Sequence, residues 1–379
     1  MESLNRVEIS AEALRHNFNI CKKMAGEAGV MAMVKADAYG HGMVDCARVL
    51  AAEGAAAFGV AEVVEGVVLR KAGLTLPVFI LAGIIPDTVE TALHHDLTPV
   101  IVDDEAIQAL DATAGRLQKR VGVHLKMDAG MGRQGTVPAD FRRLVDKVNA
   151  AKNLYPAGIL AHLPMADAAD GRHSAMVLDV FNRCIASVRD DLPATCCCHI
   201  ANSGGLFTVK DAQLQMVRPG ISLYGYYADG ESGRAKYSDD ELLQPVMRFV
   251  SRILQVREVA SNSGLGYGHL FTTTRPSKIA LIPVGYEDGY LRCLSNKAEV
   301  LVRGQRAPVV GRISMNLTMV DVTEIKDVSV GEEVVLLGKS GDAEVNADEI
   351  ASWMETISYE VLCLFGKMNN RYFIDERRL

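Results

Sequence analysis

The 379-residue chain has no excess of positive charge, no long apolar run and no C-x-x-C pair. Its formal net charge is −7. Contact with a phosphate backbone needs a basic surface, so no nucleic-acid partner is expected. No apolar stretch approaches the roughly 20 residues that cross a bilayer, and the opening residues MESLNR lack the basic start and apolar core of an export signal. A cytoplasmic location with no membrane attachment is the expectation. Three of the eight cysteines are consecutive, Cys196, Cys197 and Cys198. Neighbouring strand residues face opposite ways, so the triplet reads as small apolar filler. Reduced thiols follow from the missing export signal, and the spacing argues against zinc or any other metal site. There is no internal repeat and no low-complexity tract.

What is present is ample apolar material, 49% of residues, on a chain long enough for two domains. Strand-like apolar runs occur near residues 30–35, 57–61, 77–82, 97–102, 121–127, 155–162, 196–201 and 215–220. Between most of them lie stretches with helical spacing, such as MVDCARVL from Met43 and FRRLVDKV from Phe141. Strands alternating with helices imply crossovers and a parallel sheet. Eight such units favour an N-terminal (β/α)8 barrel of the TIM type over an open sheet. The pattern breaks in the polar segment 227–243, so the expected division is residues 1–240 as barrel and 241–379 as a mostly β domain. In the latter, strands are expected near 246–259, 277–284, 298–302, 307–322 and 333–337, with a hairpin at Gly304 and one short helix near 347–355.

In such a barrel the chemistry collects at the carboxyl ends of the strands. The first strand-like run, Val30 to Val34, stops abruptly on Lys35 and breaks into ADAYGHG, which carries Tyr39. Lysine is expensive to bury, so it is either an ordinary solvated strand end or an amine placed for chemistry. The fifth strand carries Lys126 and leads into MDAGMGRQG with Arg133. The sixth ends in His162, the seventh runs into HIANSGG with His199, Asn202 and Ser203, and the eighth supplies Arg218 before PGISLYG. Each of these alone is commonplace; together they face one small volume. Backbone N–H groups around Asn202–Gly205 and at Gly220 and Ile221, with the Ser203 hydroxyl, suit a phosphate. A phosphate cradle, a desolvated lysine and an inward arginine suggest pyridoxal phosphate, whose aldehyde forms a Schiff base with lysine. An arginine at the ring nitrogen disfavours its protonation. That suits proton exchange at Cα better than transamination.

The blocks AMVKADAYGHG, KMDAGMGRQG, HIANSGG, VRPGISLYG, GYGH, IPVGYEDGYLR, GRISMN and TISYEVLC stand in the family order across both domains. On these residues the chain resembles the bacterial alanine racemases, the fold-type III pyridoxal-phosphate enzymes. The resemblance implies an isomerase that interconverts L- and D-alanine by two-base proton transfer at Cα and so provides for D-alanine biosynthesis. It implies a head-to-tail homodimer. Lys35 would hold the cofactor and act as one base, and Tyr267 would act as the other, in the partner subunit's site. Arg218 would meet the pyridine nitrogen with His162 behind it. Tyr39, Ser203, Gly220, Ile221 and Tyr359 would hold the phosphate, with Asn202 among the cofactor-binding residues. Arg133 and Met315 would bind the substrate carboxylate. Lys126 matches a position often carbamylated in the family and would brace Arg133, while Tyr286 and Arg292 would support the entrance.

Three departures from the family pattern stand out. Asn316 follows Met315 where aspartate is usual, Leu163-Pro164 follow His162, and Ala129 replaces a frequent threonine. They leave a serine or broad-specificity racemase as the alternative, with a fold-type III decarboxylase behind it.

Overall fold

A computed structural model of the chain describes residues 3–168, 170–236, 238 and 242–375. Part of the expected boundary segment, Tyr237 and residues 239–241, lies outside the described residues. Contacts divide the chain into two compact units, Leu14–Ala38 with Met43–Gln244, and Met1–Ala13 with Tyr39–Gly42 and Pro245–Leu379.

The larger unit is the expected barrel. All eight strands are present, as Gly29–Met33, Ala57–Val60, Val78–Ile80, Thr98–Ile101, Val121–Lys126, Leu154–Leu160, Cys197–His199 and Met216–Val217. Each pairs in parallel with the next as far as the seventh, and the eighth returns to the first, with Gly29 opposite Met216. The remaining gap is closed by Gln215 N–H donating to Cys198 O at 3.2 Å and Arg218 N–H donating to Ala201 O at 2.9 Å. The strands are covered on both faces, which is why they read as unbroken apolar runs. Phe58, Val78, Ile80, Val100, Leu125 and Ile159 are fully buried. Outside run the crossover helices. Phe141–Ala150 buries Phe141, Leu144, Val145 and Val148 and turns Arg142, Arg143 and Asp146 outward, the stripe that its 3.6-residue period demands.

The second unit is mostly β, but its boundary differs from the expected one at residue 240. Strand Arg6–Ser10 is not part of the barrel. It lies between Met247–Arg252, antiparallel, and Arg371–Ile374, parallel, in the sheet of the second unit. Val7 and Ile9 are fully buried there while Arg248 grips Glu8 at 2.9 Å. A five-residue alternating strand carries no local mark of which distant sheet it joins. Other expectations shift more modestly. The run 246–259 is two strands, Met247–Arg252 and Gln255–Val259, and 307–322 contains Gln305–Pro308's end and Thr318–Asp321 with a loop between. The hairpin stands as expected, with Val302 opposite Gln305 across Arg303 and Gly304, both at positive φ. The helix Ala347–Met354 is followed by a second, Ser358–Met368, that the strand-centred reading overlooked.

Candidate active site

The first barrel strand ends at Met33, and Val34 N–H still donates to Gly59 O at 3.0 Å. After Lys35 the backbone reverses its hand. Ala36, Asp37 and Ala38 have φ of 52–56° and ψ of 46–49°, and Tyr39 has φ 54°. None is glycine, and each L-residue in this conformation costs roughly 1–2 kcal/mol. Such strain persists only where the surroundings over-determine it, and it gathers at functional sites. Ala38 N–H closes the turn on Val34 O at 2.8 Å, and the Asp37 carboxylate accepts Met43 N–H at 2.7 Å. Lys35 therefore leaves the strand end from a fixed, half-buried position.

Around the same end of the barrel stand three more cations. Lys126, on the fifth strand, is buried and donates to Gln134 Oε1 at 2.5 Å. Burial, then the charges of Arg133, Arg218 and Lys35, push its amine down to about 8. Arg133 follows on the loop that Asp128 shapes by accepting the N–H groups of Gly130, Gly132 and Arg133 at 3.1, 2.9 and 2.9 Å. Arg218 is 4% exposed and has no ion pair among the described residues. Its guanidinium donates instead to Ala161 O at 2.7 Å, Ile200 O at 3.2 Å and His199 Nδ1 at 2.9 Å, and burial lowers it to about 10. A buried cation without a carboxylate is costly unless something anionic or electron-rich is meant to meet it.

Behind Arg218 the nearer imidazole is His199; the expected His162 lies at 3.5 Å, at the limit of hydrogen bonding. Arginine only donates, so His199 Nδ1 accepts and its Nε2–H donates to His124 Nδ1 at 2.8 Å. His124 fits because residue 158 is glycine: a Cβ there would sit 2.2 Å from the ring. Burial and the Arg218 charge push His124 and His162 to about 3 and His199 well below the usual imidazole range. These folded-state values lie below the unfolded ones, so the unfolded chain binds the extra protons. The stability they contribute is complete above about pH 6.5 and is lost as pH falls toward 3. His124→Asn, which keeps an acceptor without the titration, should lose roughly 2 kcal/mol less stability between pH 7 and pH 4.5 than the parent. Urea unfolding at the two pH values checks this, and equal losses would count against it.

After the seventh strand Asn202 caps helix Ser203–Thr208, its Oδ1 accepting Gly205 N–H at 2.9 Å while Nδ2 donates to Leu163 O at 3.1 Å. Its side chain is thus engaged in shaping the loop. Ser203 Oγ accepts Gly220 N–H at 2.8 Å and Ser222 N–H at 3.3 Å, joining the loops after strands seven and eight. Ile221 is buried beside them. Ser222 Oγ is fully buried and has no partner among the described residues.

The remaining expected residues stand in the second unit. Tyr39 is buried against Tyr359, with ring centroids 6.0 Å apart, and burial followed by the neighbouring Tyr359 and Cys363 pushes its phenol above the usual range. Tyr267 is 72% exposed on a short turn between strands Gly264–Leu265 and Phe271–Thr272, above a core of Leu265, Ile279 and Val310. Tyr286 N–H donates to Ser314 O and Glu287 N–H to Met315 O, each at 3.1 Å. This close lamination needs Gly285, where a Cβ would fall 2.2 Å from both carbonyl oxygens. Met315 is 53% exposed, Arg292 is exposed on the next turn, and Asn316 donates its amide to Glu287. The structure therefore gathers Lys126, Arg133, His162 and Arg218 with Lys35 in the barrel, Tyr39 with Tyr359, and Tyr286 with Met315. His124, Gln134 and Ser222 were missed in the sequence reading. His124 was legible in principle, since it lies two residues before Lys126 on the same strand face.

Residues 9–228 match the family profile described as alanine racemase, N-terminal domain, and residues 246–373 the C-terminal domain. The chain is 42% identical over 369 residues to the alanine racemase of Syntrophobacter fumaroxidans, covering 97% of this chain and 96% of that one. Among solved structures it is similar to the alanine racemase of Streptomyces lavendulae, with a TM-score of 0.92 at 30% identity over 99% and 98% of the two chains. It is similar also to that of Bartonella henselae with covalently bound pyridoxal phosphate, with a TM-score of 0.87 at 29% identity over 98% and 99%.

Proposed function

The chain belongs to the alanine racemase family and is an isomerase, and from that premise we propose that it interconverts L- and D-alanine as a homodimer, with pyridoxal phosphate held in the barrel unit. The observation that carries this is the cluster of four cations at the strand ends, in which buried Arg218 has no carboxylate. The residues fit the cofactor. The orphaned Ser222 hydroxyl stands beside Ser203 and Gly220 as a donor awaiting an oxygen acceptor, and a buried hydroxyl without one is rare. When bound, pyridoxal phosphate withdraws electrons from the amino acid and makes its Cα proton removable.

The chain's own residues do the rest. Lys35 Nζ would hold the cofactor and move a proton at one face of Cα. Arg218, kept cationic and braced by His199 and His124, would hold the ring nitrogen of the cofactor and disfavour protonation there. Both imidazoles are held neutral, so they add no competing charge. Ser203, Gly220, Ile221 and Ser222 bind phosphate. Arg133 binds the substrate carboxylate, its loop stiffened by Asp128 and Lys126's amine directed at Gln134. Tyr267 moves the proton at the opposite face in the partner subunit, alongside Met315. Exposed apolar surface supports the dimer, since Tyr267, Leu270, Met315 and Ile357 leave large apolar side chains in water.

The test is to incubate purified protein, loaded with pyridoxal phosphate, with L-alanine, L-serine, L-lysine and L-arginine separately. Chiral chromatography should show alanine converted fastest, to equal amounts of both enantiomers. Faster conversion of serine would move the assignment to the alternative, and absence of D-alanine would remove it.

A further inference from the structure

We propose that Glu65, on the helix after the second barrel strand, is a positioning residue for Lys35 and clamps the left-handed turn from which that lysine leaves its strand. This rests on Lys35 being the working amine, as assigned above. Glu65 lies in the first turn of helix Val63–Lys71. Its Oε1 accepts Ala36 N–H at 2.7 Å, and its Oε2 accepts Ala61 N–H at 2.7 Å and Glu62 N–H at 3.3 Å. One carboxylate thus ties the loop after the first strand to the end of the second.

The position of that bond matters. Within the turn Ala38 N–H donates to Val34 O, four residues back, at 2.8 Å. The preceding N–H of Ala36 has no other partner among the described residues. On the other side of Lys35, Val34 N–H is held by Gly59 O at 3.0 Å. Of the two peptide groups flanking Lys35, the one before it is held within the turn, where Val34 O accepts Ala38 N–H, and the one after it is tied to the second βα unit by Glu65 through Ala36 N–H, while the Met33–Val34 peptide is fastened by Gly59 O. A side chain leaves its backbone along the Cα–Cβ bond, so holding these peptides fixes the direction in which the Lys35 side chain sets out toward the site. The turn's four residues disfavour this hand, so without the clamp the segment has a ready alternative. A carboxylate is required because donors arrive at both oxygens, and bonds to an ionised acceptor are about twice as strong as neutral ones.

Glu65 also caps its own helix, and that role can be separated from the clamp. In Glu65→Gln the amide oxygen can keep Ala61 and Glu62, where two donors converge. The NH2 then faces the Ala36 N–H, donor against donor. In the cofactor-loaded enzyme, hydrogen exchange at Ala36 should quicken at least about tenfold in Glu65→Gln. The turnover rate kcat should fall roughly ten- to a hundredfold, with KM for alanine changed by less than about threefold, as misaim of a reacting group predicts. Leu69→Ala, which loosens the same helix from its buried face, should lower the melting temperature and leave kcat near the parent's. Unchanged Ala36 exchange in Glu65→Gln, or an equal loss of kcat in Leu69→Ala, would overturn the proposal. Should the parent not racemise alanine at all, the failure lies with the functional assignment, and the exchange comparison still decides the clamp.

Discussion

Lys35→Ala is expected to lose racemase activity by about 10⁴-fold or more, as removal of a group on which a whole reaction depends usually does. It should also lose any cofactor that borohydride can fix to the chain. The barrel should survive, because the strand ends at Met33 and the packing of that strand is made by Val30, Met31, Ala32 and Val34. Lys35 itself is not among the residues at positive φ, so alanine suits its backbone, and the left-handed turn that follows already contains Ala36 and Ala38. The contrast with Glu65→Gln is instructive: one removes the amine, the other leaves it present and misaimed. Absorbance in the violet, borohydride trapping with peptide mapping, and a melting curve together check the outcome. Trapped cofactor and full turnover in Lys35→Ala would show that another amine holds the cofactor.

The barrel was largely legible because each strand is a short apolar run bounded by polar turns, and both faces are buried. Lys35, Lys126, His162 and Arg218 stood out for the same reason: each is a charged or titratable group directly at the end of such a run. The hand of the turn after Lys35 was not legible. Ala36, Asp37, Ala38 and Tyr39 include no glycine, and nothing local favours positive φ. The conformation is imposed by contacts from residues far along the chain, Glu65 among them. Strand Arg6–Ser10 failed for a like reason, its partners being more than 230 residues away. The helix Ser358–Met368 had a visible stripe in Val361, Leu362 and Phe365, but its residues were read as a motif and not as an element. Asn202 carries a structural role that its motif also announces. An Asn before Ser-Gly-Gly suits a cofactor loop and a helix cap alike, and in the structure its side chain caps helix Ser203–Thr208 and donates to Leu163 O.

Tyr267→Phe should lower turnover by roughly a hundred- to ten-thousand-fold, the usual range for a lost general acid or base. It should do so with little effect on folding. The side chain is 72% exposed, and the turn beneath it is held by the packed Leu265 and by Gly266 and Gly268 at positive φ. If the proposed dimer is right, the phenol serves the partner subunit, and two dead variants can repair one another. In a hybrid of Lys35→Ala with Tyr267→Phe, one site lacks both groups and the other has an intact Lys35 with an intact partner phenol. Random reassortment at equal concentrations makes half the dimers hybrid, so activity should return to about a quarter of the parent's in a two-fold symmetric assembly. No recovery after subunit exchange would mean that Tyr267 acts within its own chain or not at all. The same variant separates one base from two. Racemisation takes a proton from one face of Cα and returns it on the other, and a base must lie within hydrogen-bond reach of the proton it moves. With Lys35 intact, Tyr267→Phe in deuterated water should still wash the Cα proton out of one alanine enantiomer while exchange from the other collapses. Equal loss from both would leave Lys35 as the sole base and end the two-base scheme.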